Sequence, residues 1–262
     1  MQLNNKSIAI IFFFSTILLS IGCKEEKINL YDEPYAINFG KLKDKSGTMP
    51  NLLDPAPQSI EVNFALLPIF NQQTDTLQIP VQLMGKIPDK PLKIVFTTIA
   101  DADYSLAKVA FKEDGYRIDK NKYAETLPIY VDKPLKADTE YRAILTFNYQ
   151  KSDVEAGADY LQKITLKVTD KFTLQDAQLT MDDWNTSIAP KIGAYSNVKL
   201  RFIAYAFRKA KPEPIHIGYL KYLAYYPQYV EIIENELIKY NEAHPDNPLK
   251  DENGNIVTFT NE

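Results

Sequence analysis

Short segments in which apolar and polar residues alternate dominate the chain from Leu30 to about Lys171. Successive side chains of a strand point to opposite faces, so a period of two predicts strands with one buried face. Segments of this kind cover residues 60–64, 77–83, 93–99, 127–131, 141–147 and 164–168. Because no long amphipathic helix lies among them, they predict a sandwich of two β-sheets.

Two prolines fall inside these segments. Pro80 and Pro128 both lie on the outward faces of their strands. Proline has no N–H to donate to a ladder, so it is mostly confined to edge strands and bulges. We therefore predict that both strands lie at sheet edges or carry a bulge, which also protects an edge from unwanted pairing.

The period becomes helical after Thr173. Apolar residues recur at helical spacing over 198–207 behind Ser196, a favourable N-cap residue, and an alternating strand is the alternative there. A stripe of tyrosine and aliphatic residues over 217–240 predicts one or two amphipathic helices. Pro227 then lies at a kink or in the first turn of the second helix.

The pair Asn253-Gly254 is a strong signal for a tight turn, and apolar Ile256, Val257 and Phe259 follow it. We therefore expect a terminal β-hairpin or strand. The predicted fold is mainly β plus α, with a β-sandwich over residues 33–172 and a small helical C-terminal domain over residues 173–262.

An uncharged apolar run over residues 8–19 is too short to span a bilayer but has the length of a secretory h-region. It ends at Ser20-Ile21-Gly22-Cys23, which resembles the lipobox of bacterial lipoproteins, although Ser20 stands where Leu is usual. The resemblance implies a signal peptide over residues 1–22 and a lipid on Cys23. An ordinary signal peptide and a short membrane anchor are the alternatives.

A charged segment, residues 23–32, follows. Lys24, Glu25 and Glu26 resemble the short lysine-plus-acidic signal that sends Bacteroidota lipoproteins to the outer face of the outer membrane. A solvated linker is the alternative. The resemblance implies a lipid-anchored, palmitate-carrying protein that faces the cell exterior.

The first half also resembles a second family. The stretch over residues 97–104, the strand over 127–131 and the long aromatic strand after it look like the immunoglobulin-like Calx-β arrangement. The resemblance implies an immunoglobulin-like β-sandwich. The acidic calcium pockets of Calx-β domains are not evident in the sequence, so no metal is expected from it.

The second half carries the remaining resemblance. Its residues are Trp184, Gly193-Ala194-Tyr195-Ser196, Lys199, Phe202-Ile203, Asp251-Glu252-Asn253-Gly254 and Val257-Thr258-Phe259. They resemble an uncharacterised family of Bacteroidota surface lipoproteins, domain of unknown function 4843, over essentially the whole mature chain. Members are typically encoded beside SusC/SusD-type uptake systems, which import glycans or peptides. The resemblance implies a SusC/SusD-type outer-membrane complex as partner and a glycan or peptide as ligand.

Residues for catalysis or metal binding are scarce. The chain has one Cys, two His and nine Gly at a net charge of −4, and no nucleotide-binding, hydrolase or zinc motif is present. Asp182 and Asp183 beside Trp184 suggest an acid/base pair next to a sugar-stacking ring or, more simply, the acidic start of a helix or a solvated linker. Asp251, Asn253 and Asn255 imitate the first ligands of a calcium loop, but Ile256 stands at the sixth position, where glycine is required, and no glutamate closes the loop. We expect no metal, no cofactor and no nucleic-acid partner.

Aromatic residues are abundant, with 17 Tyr and 13 Phe. The proposed ligand or partner platform comprises Trp184, Tyr219, Tyr222, Tyr225, Tyr226 and Tyr229. The same spacing also fits burial in a core, although Tyr225 and Tyr226 cannot both face it. Thr76, in Asp75-Thr76-Leu77, resembles the O-glycosylation sites of exported Bacteroidota proteins.

These patterns favour a non-enzymatic accessory of an uptake system that captures or presents a ligand. The alternatives are a structural docking subunit of the transporter without its own ligand and, less favoured, a glycoside hydrolase or peptidase.

Overall fold

The structure, a computed structural model, describes residues 34–42, 53–55, 58–137, 139–211 and 213–259. The predicted signal peptide, Cys23 and the export signal Lys24, Glu25 and Glu26 lie outside the described residues. The strands are β1 (Ala36–Leu42), β2 (Leu53–Pro55), β3 (Ser59–Asn63), β4 (Thr74–Met84), β5 (Leu92–Ile94), β6 (Phe96–Ile99), β7 (Ser105–Leu106), β8 (Val109–Ala110), β9 (Tyr116–Ile118), β10 (Ala124–Asp132), β11 (Tyr141–Phe147), β12 (Glu155–Ala156) and β13 (Ile164–Thr169).

The strands form two main sheets. The first has the order β12-β1-β4-β10-β8, with β2 also paired to β1. The second has the order β3-β13-β11-β6, with β7 also paired to β11, and β5 and β9 form a separate pair. Most ladders are antiparallel, but β3 runs parallel to β13, β12 to β1 and β7 to β11.

One hydrophobic core lies between the two main sheets. Ile37, Phe39 and Val81 enter it from the first sheet, and Leu145 and Phe147 enter it from the second. The rings of Phe39 and Phe147 stack across the gap with centroids 4.3 Å apart. Burying alternate side chains of both sheets in this way is what the period of two predicted, and the two-sheet arrangement is confirmed. Its immunoglobulin-like character stays a prediction.

Strand β4 lies between β1 and β10, and its register with β10 runs unbroken from Thr74 to Gln82, so the expectation of an edge strand or a bulge from its proline was wrong. Leu83 donates its backbone N–H to the Tyr123 carbonyl on the β10 side, at 2.6 Å. Because the backbone groups of successive strand residues point to alternate sides, the amides of odd-numbered β4 residues point towards β10, and the nitrogen of Pro80 points towards β1. The β1–β4 ladder ends where Phe39 lies opposite Val81. Pro80 therefore lies just past the end of this ladder, where no donor is required.

Strand β10 accommodates its proline in the same way. Asp132 donates its backbone N–H to the Lys108 carbonyl at 3.0 Å, so the amides of even-numbered β10 residues point towards β8. The ladder between β10 and β8 ends at Tyr130. Pro128 lies beyond that end, and its carbonyl accepts a 2.5 Å hydrogen bond from the Tyr116 hydroxyl. Both prolines thus lie in paired interior strands, each on a side where the neighbouring strand has stopped.

The helical part follows β13. Its elements are α1 (Met181–Asp183), a π-helical turn (Trp184–Ile188), α2 (Ala189–Ile192), α3 (Asn197–Lys209), a 3₁₀ helix (Ile217–Tyr222) and α4 (Gln228–Ala243). Further 3₁₀ turns cover Phe64–Leu66, Tyr149–Lys151 and Asp159–Leu161. None of the helices in the described ranges is long and apolar enough to cross a membrane.

The two long helices begin in different ways, α3 behind a side-chain cap and α4 behind a proline. The Ser196 hydroxyl accepts the Lys199 N–H at 3.0 Å, so the predicted N-cap and helix are confirmed and the strand alternative over 198–207 was wrong. The 217–240 stripe forms a 3₁₀ helix and then α4, whose N-cap is Pro227. Pro227 thus lies at the start of the second helix, one of the two predicted positions.

A second hydrophobic core holds the helical part together. Its largest buried side chains include Trp184, Phe202, Phe207 and Phe259. Ala65, which follows β3, also belongs to it, so this core continues beneath the end of the two-sheet part. The domain boundary at residue 172 stays a prediction.

The chain end forms the predicted turn. Gly254 adopts a φ of 85° and donates to the Asp251 carbonyl at 3.1 Å. In place of a regular hairpin, Lys250 and Ile256 form a single isolated antiparallel bridge. The terminal hairpin or strand therefore stays a prediction, while Phe259 beyond it is buried in the second core.

Candidate functional site

Four tyrosines of the connection between α3 and α4 project from the molecule: Tyr219, Tyr222, Tyr225 and Tyr226, called the tyrosine surface below. Buried Leu220 and Leu223 alternate with them and attach the segment to the second core. His216 begins the 3₁₀ helix because its Nδ1 accepts the Gly218 N–H at 3.1 Å. The same local pattern that buries the leucines therefore turns the tyrosines outward.

The tyrosine surface is accessible to solvent. Tyr219, Tyr222, Tyr225 and Tyr226 are 46%, 40%, 79% and 39% exposed, respectively. Their hydroxyl groups form no hydrogen bond with any residue that the structure describes. The sequence left open whether these tyrosines are buried in a core or exposed on a surface. The side chains of all four are exposed.

A half-buried ring supports this surface from below. Tyr229 stacks on Tyr226 with centroids 5.2 Å apart and contacts the Tyr219 ring at 6.4 Å. It also meets Phe207 of α3 at 5.5 Å, which joins the exposed rings to the core. Tyr222 extends the row, with its centroid 6.3 Å from that of Tyr219. Because packed neighbours hold these rings, the surface is largely preformed.

Trp184 does not belong to this surface, and its assignment to the platform is corrected. It is fully buried, its Nε1 donates to the Gly193 carbonyl at 3.3 Å, and Tyr195 meets its ring edge-on. The π-helical turn directs the indole into the second core. A ligand has no access to this ring, which instead anchors the helical part.

The acidic pair before Trp184 has a capping role. The Thr180 hydroxyl accepts the Asp183 N–H at 3.0 Å, and the Asp183 carboxylate accepts from the Thr180 amide and hydroxyl. These hydrogen bonds, assisted by Lys221, lower the pKa of Asp183. This capping box confirms the interpretation of Asp182-Asp183 as the acidic start of a helix.

Thr76 is exposed on β4, opposite Tyr130 of β10. Its side chain is accessible to solvent. O-glycosylation of Thr76 stays a prediction.

A polar groove that the sequence did not predict opens beside β3 and has a volume of about 520 Å³. Its lining includes the apolar residues Val62, Leu66, Leu67 and Leu77 and the polar residues Glu61, Asn63, Asp75, Glu140, Lys167 and Thr169. These residues come from segments far apart in the sequence, and the parallel pairing of β3 with β13 brings Glu61 opposite Lys167. No local sequence signal reports such a pairing.

Two of the three carboxylates in the polar groove form ion pairs. Glu61 contacts Lys167 at 2.9 Å, and Glu140 contacts Arg142 at 2.5 Å. Asp75 instead accepts a 3.4 Å hydrogen bond from Gln72. The groove therefore offers charged and amide groups around an apolar floor, which is a usual composition for a binding site.

A second, more apolar groove of about 390 Å³ lies where β10 ends. Leu106, Leu135 and Tyr141 are among its lining residues, and Leu135 is 96% exposed. An isolated leucine on a surface needs no explanation, but a leucine this exposed beside an apolar groove marks a candidate contact surface.

No group of three or more His, Cys, Asp or Glu residues able to hold a metal ion occurs in the part of the chain that the structure describes. At the C-terminal turn, the Asp251 carboxylate accepts from the amides of Asn253 and Asn255, at 2.9 and 2.8 Å. Its oxygens thus stabilise the turn.

Comparison with known proteins gives little. No protein-family model matches the chain, and no curated protein matches it. Among solved structures, it is similar to the apo form of the Calx CBD1 domain, with a TM-score of 0.32 and 10% identity, over 53% of this chain and 100% of that one. It is also similar to EndoBT-3987 of Bacteroides thetaiotamicron with a Man5GlcNAc product, with a TM-score of 0.31 and 15% identity, over 46% of this chain and 29% of that one. At TM-scores this low, neither likeness bears on fold or function.

Proposed function

We propose that the protein is a lipid-anchored, non-enzymatic binding protein of the outer-membrane surface. It captures or presents a glycan or peptide for a SusC/SusD-type uptake system. The observation that carries the binding role is the tyrosine surface, four exposed rings whose hydroxyls are unpaired among the described residues. The anchor on Cys23, the surface address and the transporter partner rest on the sequence resemblances.

The chemistry of the tyrosine surface suits capture. Flat amphipathic rings stack on sugar faces and on apolar side chains, and their hydroxyls donate and accept hydrogen bonds. Tyr229, backed by Phe207, holds the rings of Tyr219 and Tyr226 in place, so these two lose little conformational freedom on binding. On this proposal the two-sheet part, which we assign to the immunoglobulin-like sandwiches, is a rigid support. A lipid anchor would raise the effective concentration beside a transporter.

Alanine substitution tests the binding role. The double variant Tyr225→Ala/Tyr226→Ala of the full chain in detergent should lose about tenfold or more in affinity for the oligosaccharides or peptides that the parent protein retains from an array. Tyr160→Ala is the matched control, because Tyr160 is 72% exposed and belongs to the two-sheet part. Retained binding by a folded double variant, or failure of the parent to retain any probe, contradicts capture at this surface.

Two cell experiments test the anchor and the address. Cys23→Ala should release the protein from the membrane fraction, whereas an unchanged membrane fraction contradicts lipidation. Protease added to intact cells should digest the protein, whereas full protection contradicts surface display.

Purification from native outer membranes in mild detergent tests the transporter partner. It should recover a SusC/SusD-type pair, and recovery of the protein alone argues for an independent binding lipoprotein.

The docking alternative rests on a different surface. Leu106 and Leu135 beside the apolar groove favour a structural subunit that contacts the transporter without its own ligand. Leu135→Asp would then abolish co-purification of the transporter pair, while Tyr225→Ala/Tyr226→Ala would leave it intact.

The enzyme alternative would place catalysis in the polar groove, at Asp75, the carboxylate there that, among the described residues, accepts only from Gln72. It would require that the protein turns over a retained oligosaccharide or peptide and that Asp75→Asn abolishes this turnover.

A further inference from the structure

A small pocket of about 260 Å³ lies at the joint between the two-sheet part and α3. Leu66 and Pro68, from the segment after β3, form its apolar side. Tyr205, Arg208 and Lys209, from the last turns of α3, supply its polar groups. It is separate from the tyrosine surface, with which it shares no residue.

Arg208 carries a charge that nothing in the described residues neutralises. Its Nη2 makes only long contacts with the carbonyls of Ala65 and Leu67, at 3.5 and 3.4 Å, and it forms no ion pair there. By contrast, Arg201 pairs with Asp170 and Arg142 with Glu140. Burial lowers the pKa of Arg208, as expected for a cation that has left water without gaining an anion.

The other polar groups of the pocket are also hydrogen-bond donors. The Tyr205 hydroxyl oxygen accepts from Lys209 Nζ at 3.0 Å, so its own hydrogen is free to donate. Lys209 also contacts the Glu236 carboxylate at 3.2 Å, which compensates its charge. The pocket thus combines one uncompensated cation with donors and contains no carboxylate among its lining residues.

A cation near the end of a helix also stabilises the helix dipole, and this role alone would explain a solvated side chain. Lys209, which is exposed, already meets that need. Arg208 is half-buried instead, and desolvating a guanidinium costs free energy unless an anion repays it. The position of Arg208 is therefore better explained by a ligand than by the helix.

We propose that this pocket binds a carboxylate group of a ligand, carried by an acidic sugar or an acidic peptide. The planar guanidinium of Arg208 can donate two parallel hydrogen bonds to a carboxylate, and the Tyr205 hydroxyl adds a third donor. Leu66 and Pro68 then contact the carbon skeleton next to the acid.

An NMR titration of the full chain in detergent tests the proposal with four small probes. Glucuronate and N-acetylglutamate carry the acid on a sugar and on an amino acid, and glucose and N-acetylglutamine are their uncharged counterparts. We expect a Kd of about 1 mM for at least one acid, as small ligands of this size allow, and no saturation with the uncharged probes. Saturation by only one of the acids identifies the source of the carboxylate. Failure of both acids to saturate, or equal binding of an uncharged probe, overturns the proposal.

Variants locate the binding. Arg208→Met should weaken the binding of the acid about tenfold or more. Arg208→Lys should weaken it less, because lysine keeps the positive charge but cannot donate two parallel hydrogen bonds to the carboxylate. Tyr205→Phe keeps the ring and removes one donor, and it serves if Arg208→Met does not fold. Arg117→Met, at an exposed arginine of β9, is the control. Unchanged affinity in both Arg208→Lys and Tyr205→Phe overturns the proposal. Tyr225→Ala/Tyr226→Ala should leave these titrations unchanged, so this site and the tyrosine surface can fail independently.

Discussion

Asp170 is the residue on which the joint between the two parts of the molecule depends. It follows β13 and is 3% exposed, and its carboxylate contacts Lys133 Nζ at 3.1 Å and Arg201 of α3. Lys133, which follows β10, also donates to the Asn71 side chain at 2.7 Å. One carboxylate therefore links both sheets to the helical part.

Removing this carboxylate should cost far more than removing an exposed one. Asp170→Ala leaves two cations facing each other in a poorly hydrated place, and we expect a loss of roughly 3–5 kcal/mol in the free energy of unfolding. Glu61→Ala, which breaks the exposed pair with Lys167, should cost less than about 1 kcal/mol. Urea unfolding measures both, and equal losses would contradict this role of Asp170.

The burial of Tyr149 predicts that the folded state loses stability at alkaline pH. Burial raises the pKa of Tyr149 from 10.0 to about 12, and its hydroxyl donates to the side chain of Gln162. Since the folded-state pKa exceeds the unfolded one, the stabilisation is complete below about pH 10 and is lost as the pH rises towards 12. Urea midpoints across this range should fall less in Tyr149→Phe than in the parent protein. Tyr160→Phe, at an exposed ring, should behave as the parent does, and an identical decline in Tyr149→Phe would refute the assignment.

At the scale of the element, the helix start before Trp184 depends on one hydroxyl. Thr180→Ala removes the acceptor for the Asp183 N–H and should lower the free energy of unfolding by about 1 kcal/mol. Thr180→Ser keeps the hydroxyl and should leave stability nearly unchanged. Thermal unfolding compares the two variants, and equal stabilities would show that the capping box contributes nothing.

Individual elements were predictable wherever their cause is local. The N-cap Ser196, the helical stripe that ends at Tyr240 and the alternation in β4 are all properties of neighbouring residues. The neighbours of each strand were not predictable, since a proline's tolerance depends on where another strand stops. Pro80 and Pro128 misled for this reason, because each lies where β1 or β8 has already ended.

At the scale of the whole molecule, the two cores are joined closely enough that we expect them to unfold together. Trp184 is the only tryptophan, so its fluorescence reports on the second core, while the backbone amide NMR signals of β4 and β11 report on the two sheets. The two signals should give coincident urea transitions. A separate midpoint for the fluorescence would show that the helical part opens alone.

The candidate binding surfaces also differ in how far the sequence alone could predict them. The tyrosine spacing was visible in the sequence, but exposure was decided by Leu220 and Leu223, which occupy the core in place of the tyrosines. Trp184 looked equally available and is buried. The polar groove and the Arg208 pocket were invisible, because each collects residues from strands or helices that only tertiary packing brings together.

The burial of Asp170 also governs how the protein responds to ionic strength. Dissolved ions screen charges by gathering in the water around them, and little water surrounds Asp170 or the two cations that it holds. Exposed pairs such as Lys122 with Asp119 weaken as salt rises, whereas this one is shielded. The joint between the sheets and the helices therefore weakens much less than the exposed ion pairs when the protein passes from dilute to saline surroundings.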